Sequence, residues 1–82
     1  METKSIHTDD YKYLILRLRN AREEKGITQE VLAQMFGCKQ TVISKIESCE
    51  RRIDIIELRE ILKLLDISFI DFIADIDKEL SK

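Results

Sequence analysis

The sequence predicts an all-α domain of five helices, and three observations carry that prediction. There is no Pro and there are only two Gly in 82 residues, so strands joined by Gly/Pro turns have little to turn on. Apolar residues recur at i, i+3, i+4 and i+7 in successive segments, the period of a single helix face. Capping residues stand just ahead of those segments: Asp9 or Asp10, Thr28, Asp54 and Ser68.

The first helix is expected over about 10–25. Leu14, Leu18 and Ala21 form its inner face, with Ile15 beside them. Tyr11, Tyr13 and Leu16 fall off that stripe and read as lone exposed hydrophobes or as a patch for a partner chain. Gly26 ends the helix at the position where a left-handed residue is usual. The second helix, about 28–36, is capped by Thr28 and should bury Val31, Leu32, Met35 and Phe36. The third, about 39–48, should hold Ile43 and Ile46 inward. That leaves Lys39, Gln40, Thr41, Ser44 and Lys45 pointing out. Cys38 sits at an apolar position between the two and should be buried, and Cys49 should be exposed.

Asp54 caps a fourth helix, about 54–65, with Ile55, Leu58, Ile61, Leu62 and Leu65 inward and Ile56 and Leu64 broadening the stripe. Ser68 caps the fifth, about 68–80. Its apolar residues Phe69, Phe72, Ile73, Ile76 and Leu80 follow the helical period. Residues 1–8, METKSIHT, show no periodicity and are expected to be a flexible arm. The remainder, 9–82, is long enough for one domain with one modest core.

The second and third helices need a close crossing. Ala33 supplies a small side chain there, and Gly37 supplies a turn residue that tolerates positive φ. Two short helices so joined are a helix-turn-helix, whose second helix can enter the DNA major groove. From about Leu14 to Phe72 the sequence resembles, without gaps, the phage Cro and repressor type of helix-turn-helix (Xre type). The residues that carry the resemblance are Arg22, Gly26-Ile27-Thr28-Gln29, Ala33, Gly37, Ile43, Glu47 and Glu50-Arg51-Arg52.

The resemblance implies a five-helix, lambda-repressor-like, DNA-binding fold. It places Gln40 and Thr41 on the family's main base-reading positions, Lys39 just before them, Ser44 between, and Lys45 one turn later. The chemistry suits that use. Gln can bond adenine at two points, Lys can donate to guanine or phosphate, and the Thr methyl can touch a thymine methyl. By the same resemblance Gln29 contacts a phosphate and braces the third helix, Arg51 and Arg52 face the DNA backbone, and Arg22 and Glu47 form a structural ion pair. Cys49 departs from the pattern, because the family commonly has Gly there. Either Cys49 takes positive φ at a cost of roughly 1 kcal/mol, or the loop closes differently.

Net charge is −2, but it is polarised. Residues 11–53 carry nine Lys or Arg against five Asp or Glu, whereas residues 54–82 carry four against eight. The positive part coincides with the helix-turn-helix, as a DNA partner requires. Ile70, Ile73, Ile76 and Leu80 exceed what a small core needs and predict a homodimer. The resemblance implies a two-fold, double-stranded DNA operator, which also points to a dimer. The expected role is a transcription regulator: a small phage-type repressor, a restriction–modification controller or an antitoxin. The compact size and apolar last helix look most like controllers or stand-alone regulators. The alternative is a protein-interaction adaptor that keeps the fold.

An enzyme is not expected. There is no nucleophile–base–orienter set and no Gly-rich phosphate loop, and the single His, His7, lies in the arm. Unpaired Cys spacing argues against metal, and no cofactor or small-molecule ligand is implied. The two Cys read as reduced thiols. No apolar run approaches the roughly 20 residues of a membrane span, and no signal peptide is visible. A cytoplasmic protein follows.

Overall fold

The computed structural model describes residues 8–82, which form five helices: α1 Asp9–Glu24, α2 Gln29–Phe36, α3 Gln40–Glu47, α4 Ile55–Leu64 and α5 Phe69–Leu80. The expected arm, His7 included, lies outside the described residues apart from Thr8. Thr8, not Asp9 or Asp10, caps α1: its backbone is extended and its hydroxyl accepts the Tyr11 N–H. The two Asp then sit inside the first turn, where negative charge meets the positive helix end.

One core joins all five helices. Ile15 and Leu18 enter from α1, Leu32 and Ala33 from α2, and Ile43 and Ile46 from α3. Leu58, Ile61 and Leu62 enter from α4, Leu65 from just beyond it, and Phe72 and Ile76 from α5. α2 packs on both α3 and α4, α1 on α3, and α4 on α5. Among the described residues no helix is long and apolar enough to cross a membrane.

Several burial expectations are corrected. Val31 and Met35 are exposed. α2 turns Leu32, Ala33 and Phe36 toward its neighbours, and at about 100° per residue Val31 and Met35 fall well off that line. Ile55 and Ile56 are exposed too. They are the first two residues of α4, and Ile56 lies across the helix from Leu58 and Leu62. Ile76, expected at a dimer interface, is 5% exposed and belongs to the monomer core. It continues the inward line of Phe69 and Phe72, with half-buried Ile73 alongside. Ile70 (72% exposed) and Leu80 (43%) stay outside.

Tyr11 is neither a lone hydrophobe nor a partner patch. Its ring packs on the core and its hydroxyl accepts the Ile53 N–H at 3.0 Å. The cysteines are reversed relative to expectation: Cys49 is buried and Cys38 half-buried. Cys49 turns inward because of how α3 ends.

All the positive-φ residues among the described ones follow a helix: Gly26, Gly37, Cys49 (φ 63°) and Asp66 (φ 58°). Three of these ends close in the same way. After α3, the Cys49 N–H donates to the Ile46 carbonyl and the Glu50 N–H to the Lys45 carbonyl. After α4, Asp66 and Ile67 do the same to Lys63 and Leu62, and after α1, Gly26 and Ile27 to Glu23 and Arg22. This is the Schellman closure, which reverses the chain within two residues and returns an apolar residue, Ile27 or Ile67, to the core. Cys49 therefore performs the turn that Gly performs elsewhere, with its side chain packed inside.

That difference is testable. Asp66 is exposed, so Asp66→Gly relieves left-handed strain and should raise unfolding free energy by a few tenths to about 1 kcal/mol in urea denaturation. Cys49→Gly should show no such gain, because relief of the same strain is offset by the loss of a buried side chain.

Candidate nucleic-acid interface

α2 and α3 are short, eight residues each, and stand by packing rather than by length. Thr28 caps α2 by accepting the Val31 N–H at 3.1 Å. Gly37, at φ 84°, turns the chain, and Ala33 is buried where the helices meet. On α3, Ile43 and Ile46 are each 1% exposed. With that face covered, Lys39, Gln40, Thr41 and Lys45 are exposed and Ser44 is half-buried.

A polar chain runs beneath this row. Arg22 on α1 grips Glu47 on α3 at two points, Nε to Oε2 at 2.6 Å and Nη2 to Oε1 at 2.9 Å. The two side chains are 7% and 5% exposed. Its third nitrogen, Nη1, donates to the Ile27 carbonyl at 2.7 Å. Hydrogen bonding to Glu47 raises the Arg22 pKa above its ordinary value, outweighing the opposite pull of burial. Gln29 Nε2 then donates to Glu47 Oε1 at 2.9 Å, and Gln40 Nε2 donates to Gln29 Oε1 at 2.8 Å. Among the described residues every buried side-chain N or O atom has a partner.

The loop after α3 is held from two sides. Arg51 forks onto Glu57, with Nη1 to Oε1 at 3.1 Å and Nη2 to Oε2 at 2.7 Å. Glu57 also closes a capping box with Asp54 at the start of α4. Glu50 instead accepts the Ser48 hydroxyl. The Arg52 guanidinium lies over the Tyr11 ring, 5.2 Å from its centroid. Among the described residues no group of three His, Cys, Asp or Glu is placed to hold a metal.

Two residues of this arrangement were absent from the sequence-predicted set. Glu57 was discoverable, since Asp54-x-x-Glu57 has capping-box spacing. Tyr11 was not, because nothing in the period of α1 says that its hydroxyl meets Ile53, far along the chain.

Arg51, more than the other groups that act on it, lowers the Glu57 pKa below its ordinary value. A depressed folded-state pKa stabilises above the unfolded value, about 4.3, and that contribution is lost as pH falls through the folded value. Glu57→Gln should therefore lower the urea midpoint near neutral pH, with the gap to wild type closing on acidification below about pH 4.

The comparisons agree with the fold. Residues 18–72 match the helix-turn-helix family. No curated protein gives a match. Among solved structures, three mutants of the Restriction-Modification Controller Protein C.Esp1396I are similar. A threonine-to-alanine mutant has a TM-score of 0.80 and 32% identity, covering 92% of this chain and 100% of that one. A tyrosine-to-phenylalanine mutant has 0.79 and 33%, covering 92% and 95%. An arginine-to-alanine mutant, in a trigonal form, has 0.76 and 34%, covering 87% and 95%. With the family match spanning residues 18–72 and the shared fold covering 92% of its length, the chain belongs to the Cro/repressor-type (Xre-like) helix-turn-helix family of DNA-binding transcription regulators.

Proposed function

We propose that this regulator binds a two-fold DNA operator as a homodimer, with α3 in the major groove, and that it controls a restriction–modification operon. One observation supports the groove reading most: α3 is locked along Ile43 and Ile46 while Lys39, Gln40, Thr41 and Lys45 stand exposed in a row. Gln40 and Thr41 read base edges, Lys39 and Lys45 flank them, and half-buried Ser44 reaches only a close edge or phosphate.

Gln29, Arg51 and Arg52 anchor the body to phosphates. Gln29 keeps one N–H beyond its bond to Glu47, and Arg51 keeps donors beyond its fork with Glu57. Fixing these side chains before DNA arrives reduces the ordering cost of binding. The dimer face uses Ile70 and Leu80 with half-buried Ile73, and Ile55 and Ile56 are further exposed apolar residues. The restriction–modification role draws on the likeness to C.Esp1396I, a restriction–modification controller protein.

Selection of bound sequences from a randomised duplex pool tests the reading as a whole. The expected product is a pair of half-sites related by two-fold symmetry, with affinity falling steeply as salt rises. Gln40→Ala should cost about 1–3 kcal/mol at one base position and relax choice there. Enrichment of a single half-site would contradict the dimer. No enrichment, with a flat salt dependence, would contradict DNA reading itself.

A further inference from the structure

We propose that Glu47, acting through Gln29, decides which end of the Gln40 amide is turned to the DNA, and thereby sets adenine over guanine at the position Gln40 reads. The proposal rests on the reading of Gln40 as a base-contacting residue. Glu47 and Gln29 enter it as positioning residues.

A glutamine amide has two ends of nearly equal size but opposite chemistry: Oε1 accepts and Nε2 donates. Held loosely, it can offer either end to a base. Here the polarity is dictated from the buried end of the chain. Arg22 can only donate, and it occupies both oxygens of Glu47. An ionised carboxylate can only accept. Gln29 must therefore turn Nε2 toward Glu47, as it does at 2.9 Å. Its Oε1 then points the other way and can only accept, so Gln40 must be held by Nε2, as it is at 2.8 Å. Flipping Gln40 would set two acceptor oxygens against each other.

What remains of Gln40 is one acceptor, Oε1, and one N–H. Adenine presents a donor at N6 and an acceptor at N7 in the major groove, the complement of that pair. Guanine presents two acceptors, N7 and O6, one of which would face Gln40 Oε1. The charge on a residue that never touches DNA thus carries specificity to one that does. Neutralising Glu47 removes the constraint. In Glu47→Gln, the new amide can offer N–H to Gln29, the chain can run in reverse, and Gln40 can turn Nε2 outward.

The test has three parts. In the folded wild-type protein, NMR couplings across hydrogen bonds should link the Gln29 side-chain N–H to the Glu47 carboxylate and the Gln40 N–H to the Gln29 carbonyl. A coupling from the Gln29 N–H to the Gln40 oxygen would overturn the proposal. Gln40→Ala selection identifies the base position. There, Gln29→Leu, which leaves the Arg22–Glu47 pair intact, should lower the adenine-to-guanine ratio by roughly fivefold or more, given the usual discrimination of a bidentate contact.

Glu47→Gln, where it folds, should do the same, with the other positions unchanged in both variants. A uniform loss of affinity with the ratio unchanged would mean only a structural brace and would overturn the proposal. If Gln40→Ala relaxes no position, base reading by Gln40 fails and the proposal fails with it, while the NMR couplings persist and show which of the two ideas was wrong.

Discussion

The buried pair of Arg22 and Glu47 is the constraint on which the rest of the structure depends. It joins α1 to α3, and a third Arg22 bond to the Ile27 carbonyl fixes the turn between α1 and α2. Removing both charges from water costs several kcal/mol per ion, and mutual attraction offsets that only with excellent geometry. The two-point fork and the Gln29 bond supply that geometry. Such a pair adds little net stability over well-packed apolar residues, but it admits few alternative placements. For a helix that must present one face in one orientation, placement is the property that matters.

The apolar contacts and the helix ends complete the frame. Ile43 and Ile46 leave α3 no room to roll, since rolling would open the core. A left-handed residue follows each of α1 to α4 and turns the chain away from the helix axis. Cys49 and Asp66 show that the turn demands a conformation rather than a glycine. The Arg51–Glu57 fork then ties the loop after α3 to α4, and Tyr11 ties it to α1. α3 is thus held at its base by charge, along its side by packing, and at its end by the loop.

Much of this was legible in the chain. Helix order followed from apolar period and caps, and all five helix starts lie within a residue of those expected, three of them because Thr28, Asp54 and Ser68 cap as their types suggest. What was lost has physical reasons. Thr8, Asp9 and Asp10 are all capping types in a row, and only the approach of the chain selects among them. Periodicity says which residues share a face, not which neighbour covers it, so it points Ile76 outward and Val31 inward. The inward row of α3 was readable, but the link from Gln40 to Gln29 was not, because eleven positions separate them across a turn. The base and phosphate roles of single residues came from resemblance to a family, and the structure adds their exposure and partners.

The most direct measurement is a double-mutant cycle on Arg22 and Glu47, read by urea unfolding. Arg22→Met and Glu47→Leu should each cost about 3–5 kcal/mol, because each strands a buried charge. The double variant should lose far less than their sum, a coupling that only a contacting pair produces. Single losses below about 1 kcal/mol that simply add would describe an exposed, dispensable pair and would contradict the account.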